Sequence, residues 1–221
     1  MRRFVRENSL GLAAGLLFAM AFAGQIVAGF IEYNDDRQVL GDPPLALDSY
    51  LTSGHFTEAV FENWESEFLQ MAVFVLLTTW LVQRGSPESR RPDNTKELVD
   101  IDPRDFAHDP EAPWPVRRGG WLLRLYENSL GLAFVLLFLL SWLGHAIGGF
   151  SDYAAEEALH HQPPPTFTDY VTSSRFLFES FQNWQSEFLA IGLMVWLAVY
   201  LRQRRSPQSN PVHAPHAESG H

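Results

Sequence analysis

The segment Glu7-Asn8-Ser9-Leu10-Gly11-Leu12-Ala13 returns unchanged as Glu127-Asn128-Ser129-Leu130-Gly131-Leu132-Ala133. The register then holds without a gap: Asn63-Trp64 recurs as Asn183-Trp184, Ser66-Glu67-Phe68-Leu69 as Ser186-Glu187-Phe188-Leu189, and Arg84-x-Ser86-Pro87 as Arg204-x-Ser206-Pro207. A tandem duplication constrains the fold more than any other feature, because one supersecondary unit must serve in both halves. Each motif can also be checked against its twin.

Each copy opens on a long apolar run. Ser9 to Ile31 carries no formal charge, and neither does its twin from Ser129 to Phe150. Both exceed the ~20 residues a helix needs to cross the hydrocarbon core of a bilayer. The mean hydropathy of −0.10 hides them by averaging them with polar stretches. The second apolar run of each copy is shorter, Phe68 to Val82 and Phe188 to Leu201. At about 1.5 Å per residue, each reaches about two thirds of the way across. To span, it must extend back through the Asn-Trp-x-Ser-Glu motif, which draws polar side chains toward the bilayer. The expected spans are about 9–31, 63–82, 129–150 and 183–201. The N-terminal Met-Arg-Arg, apolar stretch and Ala21-Phe22-Ala23 resemble a cleavable signal peptide. The internal twin has no such site, so a retained helix is expected in both places.

Charge sets the expected orientation. Arg2, Arg3 and Arg6 precede the first span, eight basic residues from Arg84 through Lys96 to Arg124 separate the second from the third, and Arg202, Arg204 and Arg205 follow the fourth. Only Arg37 and Arg175 fall in the other loops. The positive-inside rule puts both termini and the linker in the cytoplasm. Two parallel-oriented helical hairpins result, related by a pseudo-twofold axis along the membrane normal. The expected fold is therefore an all-α membrane protein with four transmembrane helices. Residues 1–90 are the first repeat, 91–120 a cytoplasmic Pro-rich linker, 121–206 the second repeat and 207–221 a disordered tail.

The outer loops are acidic, with Pro43-Pro44 and Pro163-Pro164 at their centres, where proline keeps them out of helix. Thr52-Ser53 and Thr172-Ser173 are expected to N-cap the second helix of each hairpin. The acidic balance, net charge −10, argues against nucleic acid as a partner. The absence of cysteine removes disulfides, thiol catalysis and thiolate metal sites.

Asn63, Ser66 and Glu67 share a helix face, and Asn183, Ser186 and Glu187 repeat it. Gln25 aligns with His145 on the first helices. A four-helix bundle would gather Gln25, Asn63, Glu67, His145, Asn183 and Glu187 into an intramembrane polar layer. Charged carboxylates at such depth are costly and face a bundle interior, a wet cavity or a partner. Two readings stand. In one, the layer handles ions or protons; in the other, Glu67 and Glu187 sit at the interface and bond neighbouring helices. Gly11-x-x-x-Gly15 and Gly144-x-x-x-Gly148 suit close helix packing or a dimer face.

No catalytic, metal or cofactor site is expected. A bundle di-metal centre needs four carboxylates and two histidines, and only one histidine lies in a span. The chain contains no GxSxG, P-loop or HExxH motif. His213, His216 and His221 in a flexible tail make a poor chelate.

The paired elements ENSLGL and NWxSEFL, in a chain of two such hairpins, resemble a bacterial family of uncharacterised integral-membrane proteins with a domain of unknown function. The resemblance covers roughly 7–90 and 127–206. It implies a bacterial cytoplasmic membrane and brings no activity or binding residue. The functional expectation is a non-enzymatic accessory or structural membrane component, whose partners are the lipid bilayer and a second copy or another membrane protein. The alternative is a small transporter or channel for a cation or proton, using Glu67 and Glu187.

Overall fold

The structure, a computed structural model, describes residues 2–39, 41–92, 98–159 and 162–216. Lys96 of the linker and His221 of the tail lie outside the described residues. The described chain is helical, with no strand: α1 (Arg2–Glu7), α2 (Ser9–Val39), α3 (Leu47–Leu51), α4 (Gly54–Leu77), α5 (Trp114–Arg118), α6 (Gly120–Glu127), α7 (Ser129–Leu159), α8 (Phe167–Val171) and α9 (Ser174–Tyr200). Two short 3-10 helices, Leu98–Asp100 and Pro103–Phe106, lie in the linker. The duplication repeats element for element, since α7, α8 and α9 start 120 residues after α2, α3 and α4.

The ENS motif has a local job that both copies share. Asn8 Nδ2 donates to the Phe4 carbonyl and Ser9 Oγ to the Arg6 carbonyl, at 2.9 and 3.2 Å. Asn128 and Ser129 do the same to Arg124 and Tyr126, at 2.8 Å each. The side chains add donors to the carbonyls of the helix end, and the chain restarts as the long α2 or α7. Ser53 and Ser173 cap the second helices by accepting from the Phe56 and Phe176 amides, each at 3.2 Å. The entry to α8 is a capping box between Thr166 and Asp169. The Thr166 hydroxyl, followed by its amide, holds the Asp169 carboxyl below the usual carboxylate range. The twin position carries Ala46, and α3 has no side-chain cap.

Among the described residues, two helices, α2 and α7, are long and apolar enough to cross a membrane, where four were expected from the sequence. The second helices begin earlier than the span starts at 63 and 183 expected from sequence, at Gly54 and Ser174. Their leading turns carry Glu58, Glu62, Glu65 and Glu67 in α4, and Glu179 and Glu187 in α9. α4 ends at Leu77, short of Val82.

Two compact units emerge, each drawing residues from both copies: residues 1–59 with 147–165, and residues 60–146 with 166–221. In the first unit, Tyr50 is buried among Phe30, Tyr33 and Phe56, with ring centroids 5.3–5.7 Å apart. The outer loop is tied down there. Asn34 Oδ1 accepts from the Leu45 amide at 2.7 Å, and Arg37 donates to the Pro43 carbonyl at 3.0 Å and pairs with Asp42. Backbones meet directly where α4 starts: a Cβ on Gly148 would lie 2.5 Å from the Glu58 nitrogen, and one on Gly54 2.7 Å from the Gly148 oxygen. By contrast, Gly11 and Gly15 meet nothing within 4 Å among the described residues. Of the two GxxxG-type pairs, Gly144/Gly148 is the one that serves packing among the described residues.

In the second unit, the turns after α4 and α9 are copies. The Gln83 amide donates to Ser89 Oγ at 2.6 Å and the Glu88 amide to Ser86 Oγ at 3.2 Å. Gln203 and Gln208 repeat this with Ser209 and Ser206, at 2.8 and 3.2 Å. In the tail, buried Asn210 donates to the Gly85 carbonyl at 2.8 Å. The turn requires a left-handed residue, supplied by Gly85 at φ 85° in the first copy and by Arg205 at φ 71° in the second. A side chain in that region costs about 1 kcal/mol that glycine avoids. Arg205→Gly should therefore slow amide exchange at Gln203 and Gln208 by about fivefold. Unchanged or faster exchange would mean the turn stores no such strain.

Candidate functional site

The second unit has a polar centre. Glu65 and His145 are 1% and 0% exposed, and Ser66, Ser141 and Ser180 are buried too. His145 comes from α7, Glu65 from α4, and Trp184 and Glu179 from α9. His145 Nδ1 lies 2.7 Å from Glu65 Oε2, and Trp184 Nε1 donates to Glu65 Oε1 at 2.8 Å. Both carboxylate oxygens are thereby engaged, as a buried charge requires. In the neutral imidazole this bond puts the proton on Nδ1 and leaves the lone pair on Nε2.

On the other side of the ring, His145 Nε2 faces Glu179 Oε2 at 3.6 Å, beyond hydrogen-bond reach. Nε2 is buried and makes no hydrogen bond. Glu179 is held from behind by Arg175 Nε at 3.1 Å, and Tyr170 Oη donates to its Oε2 at 3.4 Å. The ring of Phe176 covers His145 with centroids 4.7 Å apart. Glu62 adds another carboxylate, accepting from Asn183 Nδ2 at 2.5 Å. The result is a row, Trp184–Glu65–His145–Glu179–Arg175, with one open joint at Nε2.

Of the polar layer expected from sequence, His145 is fully buried and Asn183 half-buried, bonded to Glu62 and to the Glu179 carbonyl. Glu187 is half-buried, and its carbonyl accepts from Gln70 Nε2 at 3.1 Å. Asn63 and Glu67 are exposed. Gln25 is half-buried and belongs to the first unit. The carboxylate that meets His145 is thus Glu65, two residues from Glu67 and on another face of α4. Sequence reasoning passed over Glu65 and Glu179 because it favoured polar residues that both copies share, and it passed over Trp184, which recurs as Trp64, because it gathered the layer from acidic, amide and imidazole side chains. The available signal was the opposite one: Glu65, Glu179 and His145 align with Gln185, Ala59 and Gln25.

A family model for a domain of unknown function, DUF6766, matches residues 1–221. The chain belongs to that family. The match takes in the linker and tail as well as both repeats, so the family extends beyond the two hairpins that carry ENSLGL and NWxSEFL. Comparison with curated proteins and with solved structures finds no match.

Proposed function

We propose that this DUF6766 chain is a non-enzymatic, multi-pass protein of a bacterial cytoplasmic membrane, with four crossings, cytoplasmic termini and an accessory or structural role. The observation that carries this reading is the exposure of large apolar side chains along the helices of the second unit while polar side chains are buried between them. Its centre is Glu65, Ser66, Ser141, His145 and Ser180, whereas Leu132, Leu136, Leu139, Leu140 and Leu143 of α7 and Phe178, Phe181, Leu189, Leu193 and Trp196 of α9 are exposed. In water, exposing so large an apolar surface is disfavoured by about 25 cal/mol per Å²; in lipid it is the natural exterior. The basic residues outside the proposed cytoplasmic segments also fit, since Arg37 and Arg175 are held by Asp42 and Glu179. Reporter fusions at residues 45, 100 and 165 test the topology. Outside, inside and outside signals are expected, and an outside signal from position 100 would overturn it.

The buried His145 favours a second reading, in which the chain handles a proton or cation. Its centre would be Glu65, His145 and Glu179 rather than Glu67 and Glu187. Reconstitution in liposomes separates the two. The accessory role predicts proton and cation flux no greater than in empty liposomes. Flux that disappears in Glu65→Gln/His145→Gln would favour the second reading.

A further inference from the structure

We propose that His145 Nε2 and the Glu179 carboxylate form a mononuclear site for a divalent transition-metal ion of the zinc, cobalt or manganese class. The first observation is the orphaned atom. A fully buried ring nitrogen without a hydrogen bond is rare, and this one is aimed at a carboxylate. The second is the distance. Two ligands each about 2.1 Å from one ion at a tetrahedral angle lie about 3.4 Å apart. The 3.6 Å between Nε2 and Oε2 is close to that value.

The third observation is the support behind the ligands. Metal-binding histidines almost always donate the other ring N–H to a carboxylate or carbonyl, which fixes the tautomer and raises ligand basicity. Glu65 does this for His145, and Trp184 orients Glu65. Arg175 and Tyr170 orient Glu179 in turn. Imidazole selects borderline ions over magnesium and calcium. Among the described residues, Glu62, Glu65 and Glu179 bring three carboxylates to the site against the guanidinium of Arg175, so the surroundings favour positive charge.

The test is cobalt and zinc titration of the full chain in detergent, without an affinity tag, after chelator treatment. His213, His216 and His221 are replaced by Asn to remove tail chelation. One equivalent should bind, and cobalt should give a visible d–d band. His145→Gln, which copies Gln25, should weaken binding at least about 100-fold. Glu179→Ala, which copies Ala59, should weaken it by about tenfold or more, and Glu65→Gln by about 10–100-fold through loss of orientation. Variants are compared at matched helical circular dichroism. For any that fails to fold, nitrogen hyperfine coupling from one imidazole to bound manganese, measured on the tail-substituted protein, takes its place. Absence of binding would overturn the site in favour of an imidazolium shared by the two carboxylates. Undiminished binding in folded His145→Gln would overturn it as well.

Discussion

Glu65→Ala is expected to destabilise the folded protein by about 2–6 kcal/mol, since two buried donors lose their acceptor at about 1–3 kcal/mol each. The substitution strips His145 Nδ1 and Trp184 Nε1 of their common acceptor at once. His145→Ala should cost a similar amount, since it leaves the Glu65 carboxylate buried with only the indole donor. The double variant Glu65→Gln/His145→Gln should lose much less, because two amides can satisfy one another without charge. Those are also the residues at the twin positions, Gln185 and Gln25. A cycle through Glu65→Gln, His145→Gln and the double variant should give a coupling of at least about 1 kcal/mol. Unfolding in mixed detergent, followed by helical circular dichroism, measures it. Additive losses would show that the contact does not hold the second unit together.

Gly148→Ala and Gly54→Ala are expected to cost about 1–3 kcal/mol each, and more if the helices cannot slide. At both positions the added methyl would meet backbone rather than a movable side chain, at 2.5 and 2.7 Å. Gly192→Ala is the control. It lies within α9 with nothing within 4 Å, so the better helix propensity of alanine should stabilise by up to about 1 kcal/mol. Gly144→Ala falls between these, because its neighbour at 2.5 Å is the ring of Phe61, which can turn. Thermal denaturation of the four variants ranks them. Equal effects at Gly148 and Gly192 would remove the backbone contact as a determinant of the first unit.

The helical, repeated organisation was legible because duplication and hydrophobic length are strong, redundant signals, while two of the four expected spans, in α4 and α9, are not long and apolar enough to count as crossings. The helix starts at Ser9 and Ser129 and the caps at Ser53 and Ser173 arise from local chemistry that sequence displays. The extents of α4 and α9 were less legible. Their leading turns mix Glu, Phe and Trp, and a hydropathy window discounts turns whose acids are satisfied by other helices. The site was half legible. His145 is conspicuous as the sole histidine in an apolar run. Its partner is not, because Glu65 and Glu67 lie on different faces of α4 and a shared motif drew attention to the wrong one. Tertiary contact between α4 and α7, eighty residues apart, chose between them.

The pair of Glu65 and His145 also makes the two copies unequal. Each copy contributes one member, Glu65 from the first and His145 from the second. The copies are not interchangeable in this contact: the first carries Gln25 where the second has His145, and the second Gln185 where the first has Glu65. The present gene therefore encodes an ordered pair of hairpins, and exchanging or duplicating either half would break the contact or leave it incomplete.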